Sequence, residues 1–305
     1  MNMQCRVGTD VSSEDVEQAR AALSTLREAI SDYVNSSGVL PATGSQALRE
    51  QEVFSRPESV RTAYSQAIVL LEVAGDQLAA IVKMFEAPVD TIAPWTNVRA
   101  LLEASALAVW ILDPRIDVAT RVQRSIGLRY EGLLEQRKFF RAAGHDDLER
   151  LTKRLGELEE LASTLGYPPV VDRKGKRIGA GTKVPPATEL AQALLGEGGM
   201  YRLLSAVAHG HFWAIQQLSF ELLPEDPAAA HTAGYRAMTK VVKPAGLLYL
   251  SLGAATAFGR ACWNLSRYSG WDRDRIIRIL ATAFDRLGAS EKARFWAVPD
   301  NGSAA

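Results

Sequence analysis

The sequence predicts an all-α protein, an antiparallel helical bundle with one loop and hairpin excursion at about residues 167–187. Three observations carry that prediction. Apolar residues recur at steps of three and four along nearly the whole chain. The one long interruption of that period is crowded with proline and glycine. No internal repeat, extended heptad array or low-complexity tract points to another architecture.

The elements follow in order. Val16, Ala19, Leu23, Leu26, Ile30 and Tyr33 form one apolar face, which predicts a helix over 13–35. Ser12 or Ser13 caps it, and Gly38 with Pro41 ends it. A second helix spans 57–86, with Pro57 in its first turn, where a missing N–H costs nothing. The third, 92–112, is apolar apart from Arg99 and Glu103 and stops at Asp113–Pro114. A fourth over 116–142 stops at Gly144, and a fifth over 146–165 is charged with spaced leucines. Together these two read as an exposed helical arm, 116–165. Residues 167–186 then hold four prolines and five basic residues, and "VVDRKGKRIG" within them reads as a short hairpin. Helices are predicted again over 188–195, 199–222, 228–268 with a kink at Pro244, 272–287 and 290–296. This divides the chain into an N-terminal helix and linker, 1–56, a bundle core, 57–297, and a loose tail, 298–305.

Composition narrows the function classes. Among 305 residues, Lys+Arg and Asp+Glu are both 35, so no global field attracts nucleic acid or an anionic membrane, and a local patch must do so. The longest apolar run, 244–259, is too short to span a bilayer and is bounded by Lys243 and Arg260. Two unrelated cysteines, Cys5 and Cys262, make neither a disulfide framework nor a metal site. "MNMQCRVGTDVSSED" lacks the apolar stretch of a signal peptide, so a cytoplasmic protein is expected. The standard phosphate-loop, zinc-protease and nucleophile-elbow motifs are missing, and no metal or cofactor is expected.

What chemistry remains lies in polar residues set into apolar helices. In "YRLLSAVAHGHFWA", 201–214, Arg202 and His209 are seven apart, which puts them on one helical stripe about 10 Å apart along the axis. Ser205 stands between them, and Tyr201 beside them. A guanidinium grips phosphate, and an imidazole exchanges protons near neutral pH. Together they are a minimal kit for cleaving RNA through its own 2′-hydroxyl. On the same continuous helix His211 points away from His209, Gly210 sits mid-helix, and Phe212 and Trp213 read as core. A second group, Arg99 and Glu103, is four apart on the apolar third helix, and Arg121 and Arg124 follow on the next. Arg99, Glu103, Arg124, Arg202 and His209 are expected around one polar centre. That centre is either an ion network that sets helix register or an anion site.

The stretches "VRALLEASALAVWILDP", "PPATEL" and "YRLLSAVAHG" resemble a group of bacterial all-helical proteins without an assigned activity, over about residues 92–265. Arg202 and His209, with six residues between them, also resemble the arginine–histidine motif of the HEPN superfamily (higher-eukaryote and prokaryote nucleotide-binding domains). Leu203 stands where active members usually carry a polar residue. The resemblance implies a homodimeric, metal-independent ribonuclease in a toxin or defence role, with RNA as substrate and an inhibitory protein partner. It casts Arg202 and His209 as catalytic, with Tyr201 and Ser205 orienting the phosphate. Two alternatives stand beside it. One is a non-catalytic interaction or regulatory protein. The other is a small-molecule binder with a pocket lined by Trp95, Trp110, Trp213 and Trp263.

Overall fold

A helix that is apolar over most of its surface has little to offer solvent, so other helices must enclose it. That is the place of the fourth helix in the computed structural model, which describes residues 13–87, 89–222, 238–241 and 243–291. The elements are α1 (Ser13–Ser36), α2 (Gln46–Val53), α3 (Pro57–Met84), α4 (Ala93–Ile111), α5 (Val118–Ala143), α6 (Leu148–Thr164), β1 (Val170–Val171), β2 (Arg177–Gly179) and α7 (Ala187–Leu190). A π-helical turn (Ala191–Leu195) continues α7. After it come α8 (Gly198–Ala208), α9 (Phe212–Ser219), β3 (Phe220–Leu222), β4 (Met238–Lys240), α10 (Pro244–Ser269) and α11 (Arg273–Arg286). The fold is all-α, with two small antiparallel strand pairs among the described residues, β1–β2 and β3–β4.

α4 packs against α3, α10 and α8. Val98, Leu101, Leu102, Ala108 and Ile111 are fully enclosed there. The predicted face of α1 is buried as a stripe, Val16 through Tyr33, against α11, α3 and α10. A second, smaller core lies between α5 and α6, where Val122, Ile126 and Leu133 meet Leu151, Leu155 and Leu158. The β1–β2 excursion is anchored to this arm by close backbone approach. A Cβ on Gly127 of α5 would overlap the Thr182 carbonyl oxygen, so only glycine lets the loop lie there.

Helix ends follow local chemistry. Asp117 accepts from the Thr120 N–H at 2.7 Å and caps α5. That bond holds its carboxyl below the ordinary value of 3.8. A depressed folded-state pKa contributes stability above the ordinary carboxylate range, and that stability is lost as pH falls through the folded value. Asp117→Ala is expected to cost about 1 kcal/mol at neutral pH. Asp117→Asn, which caps without titrating, should remain closer to wild type and lose the acid-side component of the melting curve. Thermal melts of the three proteins between pH 2 and 7 check this, and equal acid sensitivity of wild type and the asparagine variant would count against it.

Four elements differ from the sequence expectation. Within the stretch read as linker, α2 forms under a Ser45 cap that accepts from the Leu48 N–H. At eight residues it is too short to announce itself by period. The helix expected over 199–222 is two helices, α8 and α9, broken at Gly210. Pro244 does not kink a long helix but starts one, because its missing N–H and fixed φ suit the first turn. The β3–β4 pair was not anticipated. Residues 228–237, the tail 298–305 and nearly all of the helix expected at 290–296 lie outside the described residues.

Candidate functional site

The break between α8 and α9 defines the site. His209 still donates its N–H to the Ser205 carbonyl at 3.0 Å, so the helical stripe runs through His209. Gly210 then takes φ +72°, the left-handed region where a side chain would be strained. The Gly210 N–H bonds to Val207 O, and the His211 N–H reaches back to Ala206 O at 2.9 Å. This paired bonding is the glycine-ended helix stop, and it satisfies the last carbonyls of α8. The glycine placed mid-helix by the sequence reading is therefore the residue that ends the helix.

The chain reversal changes which side chains meet. On a continuous helix His209 and His211 diverge. Here their ring centroids lie 6.4 Å apart at 82°. Both are exposed, as is Arg202, whose guanidinium has no hydrogen bond or ion pair among the described residues. Phe212 and Trp213, expected in the core, open α9 in solvent at 69% and 56% exposure. Leaving two large rings wet forgoes about 1.5–3 kcal/mol of burial each. The break thus displays an unpaired cation, two imidazoles and two aromatic faces on consecutive turns of chain. Ser205 is half-buried between them.

The other expected members of the centre are engaged elsewhere. Tyr201 is buried and donates its hydroxyl to Glu103 Oε1 at 2.5 Å. Arg99 donates to the Tyr201 hydroxyl at 3.3 Å, pairs with Glu103 at 2.9 Å and lies 5.6 Å from the centre of the tyrosine ring. Burial first, then the Glu103 bond, pushes the Tyr201 phenol up. Burial opposes the charge on Arg99, but the Tyr201 bond and the Glu103 carboxylate outweigh it and its pKa rises. This closed triad pins α8 to α4. Its charged members remain 26% and 35% exposed, which is wetter than the apolar setting of α4 suggests. Arg124 donates to Trp110 O at 2.6 Å and stacks on the Trp110 ring, at the end of α4. The five residues expected around one centre therefore separate into three settings. Arg99 and Glu103 form a register clamp with Tyr201, Arg124 closes a helix end, and Arg202 with His209 is displayed to solvent.

Two groups of functional interest were missed by sequence reasoning. His211, Phe212 and Trp213 were hidden by the assumption of a continuous helix, and "HG" at the end of an apolar run was the available signal. Arg121 carries no local sign of its partner, and it is the largest fully buried side chain among the described residues. The tryptophans do not enclose one pocket, since Trp95, Trp110 and Trp263 are core and Trp213 is exposed. Cys262 is buried, and burial pushes its thiol up, so it is not a nucleophile at neutral pH. Cys5 lies outside the described residues. Among the described residues no group of three or more His, Cys, Asp or Glu is placed to hold a metal ion. No helix among them is long and apolar enough to cross a membrane.

Comparison with protein-family models, curated proteins and solved structures finds no match to the chain.

Proposed function

We propose that the α8–α9 break is an RNA-binding face and that the protein is a metal-independent endoribonuclease of HEPN-like character. The observation that carries this reading is the joint exposure of Arg202, His209, His211, Phe212 and Trp213 around one helix stop. Each residue type has a task on a single strand. Exposed aromatic rings stack bases without regard to sequence. A free guanidinium neutralises phosphate oxygens. Two imidazoles can divide proton transfer between them. One takes the proton of the 2′-hydroxyl, whose oxygen bonds to phosphorus, and the other gives a proton to the 5′-oxygen as its bond to phosphorus breaks. The products are a 2′,3′-cyclic phosphate and a 5′-hydroxyl. Ring centroids 6.4 Å apart suit two groups that bracket one phosphodiester. In this reading two copies pair through this face, which buries part of the aromatic surface and doubles the cationic groups around the strand.

The test is incubation of the purified chain with single-stranded RNAs of mixed sequence in EDTA. Cleavage to cyclic-phosphate ends is expected from wild type and not from the Arg202→Ala, His209→Ala double variant. Phe212→Ala and Trp213→Ala should each weaken RNA binding by about 1–3 kcal/mol. Because all four side chains are exposed, melting temperatures should barely move. A wild type that is inert on varied RNAs, with any bound partner removed, defeats the reading.

The same exposed rings favour a second reading, a non-catalytic protein that docks a partner through Phe212 and Trp213. It predicts that substituting the rings abolishes association while RNA is neither bound nor cut.

A further inference from the structure

Residues 167–186 hold five basic residues and one acidic one, in a chain whose net charge is zero. Three of the five, Arg173, Lys174 and Lys176, crowd the turn between β1 and β2. All three are exposed, with no side-chain hydrogen bond or ion pair among the described residues. The two carboxylates that bond into the hairpin are engaged already. Asp172 accepts from the backbone N–H groups of Lys174 and Lys176, at 2.8 and 3.0 Å. Glu159 on α6 accepts from the Arg177 guanidinium and the Tyr130 hydroxyl, each at 2.7 Å. Three like charges in one turn repel each other, and an external anion relieves that repulsion.

The turn is built to hold its shape. The Asp172 N–H donates to Lys176 O at 2.8 Å, and the Gly175 N–H donates to Asp172 O at 3.0 Å. Gly175 takes φ +76°, which favours glycine. Three bonds then staple the excursion to the α5–α6 arm. Arg177 pairs with Glu159, the Gln123 amide donates to Gly181 O at 3.2 Å, and the Tyr167 hydroxyl donates to Ala119 O at 2.8 Å. Cations on a fixed platform lose less freedom on binding than cations on a loose loop. The tip, 172–176, carries no apolar side chain to enter a lipid layer. A run of phosphates asks only for charge.

We propose that the β1–β2 turn grips the phosphate backbone of RNA, with Arg173, Lys174 and Lys176 each neutralising one phosphate. The choice of RNA rests on the reading of the α8–α9 break. The turn adds a contact that positions the strand and carries no base information.

Fluorescence anisotropy of labelled single-stranded RNAs with the full chain, in about 50 to 200 mM KCl, tests this. On a single strand the logarithm of affinity falls with the logarithm of salt by about 0.7 per phosphate neutralised. Arg173→Gln, Lys174→Gln and Lys176→Gln together should therefore flatten that slope by about 2, equally for every sequence. These are exposed turn positions, so the melting temperature should barely move. The Phe212→Ala, Trp213→Ala double variant should bind more weakly with its slope unchanged, because stacking releases no counterions. A wild type that binds RNA and cuts none, with the slope flattened in the turn variant, supports the grip while defeating the cleavage. A slope unchanged in the turn variant overturns the grip, whether or not RNA is cut. So does a wild type that binds no RNA at the lowest salt, or that binds phosphatidylserine vesicles in place of RNA.

Discussion

Arg121→Ala is expected to remove about 3–5 kcal/mol of folding stability, the largest loss from any single polar substitution in this chain. The guanidinium is fully enclosed and joins four elements. From α5 it donates to both carboxylate oxygens of Glu50 on α2, at 2.8 and 3.2 Å. It also donates to Ile111 O at the end of α4, at 2.5 Å, and to Asp113 O at 3.3 Å. It lies 4.2 Å from the centre of the Tyr268 ring on α10, and the Tyr268 hydroxyl returns to Glu50 at 2.8 Å. Burial holds that phenol well above its ordinary value, so it remains a donor. Alanine would leave a carboxylate without its cation and the last carbonyls of α4 without a donor, in a space closed to water.

Against a total stability of about 5–15 kcal/mol, such a loss brings a domain close to unfolding. Urea denaturation of wild type, Arg121→Ala, Glu50→Leu and the double variant checks the argument. The double variant should be more stable than Arg121→Ala alone, because removing both charges leaves neither uncompensated. A midpoint for Arg121→Ala indistinguishable from wild type would show that the network contributes little.

His209→Ala is expected to lower RNA cleavage by about 10²–10⁴-fold while RNA affinity stays near wild type. His211→Ala should do the same, and the double variant should be little worse than either, because proton donor and acceptor act in one step. Arg202→Ala should differ in kind. It should weaken binding and turnover together, with partial recovery in Arg202→Lys, which keeps the charge and loses the fork. Single-turnover cleavage measured beside equilibrium binding separates the cases. A His209→Ala protein that binds less RNA but cuts what it binds at the wild-type rate would assign the imidazole to binding. One that neither binds nor cuts differently from wild type would remove it from the site.

The two arginines show how far the sequence could be read. Arg121 lies near the apolar seam of a charged helix and Arg202 in a largely apolar one, and nothing in the local pattern shows which of them is paired. One is sealed and fully bonded, the other exposed and unpaired. The difference lies in a carboxylate 71 residues away in a helix too short to be seen by period. The clamp of Arg99 with Glu103 was legible, because four residues on one helix are neighbours whatever the fold. Its third member, Tyr201, comes from α8 and was not.

The amino-acid order by itself determined the helical class, the buried face of α1, the apolar character of α4, the stops at Asp113 and Gly144, and the hairpin at 170–179. These are properties of period, caps and turns, whose interactions close within a few residues. Tertiary structure alone decided where the long apolar stretch after Gly198 breaks, which charges are buried, and which imidazoles meet. Glycine inside a helix costs only about 1 kcal/mol, so "HG" admits either continuation or a stop. The packing of the rest of the chain resolves it, because burial energies that act between distant segments exceed that local preference.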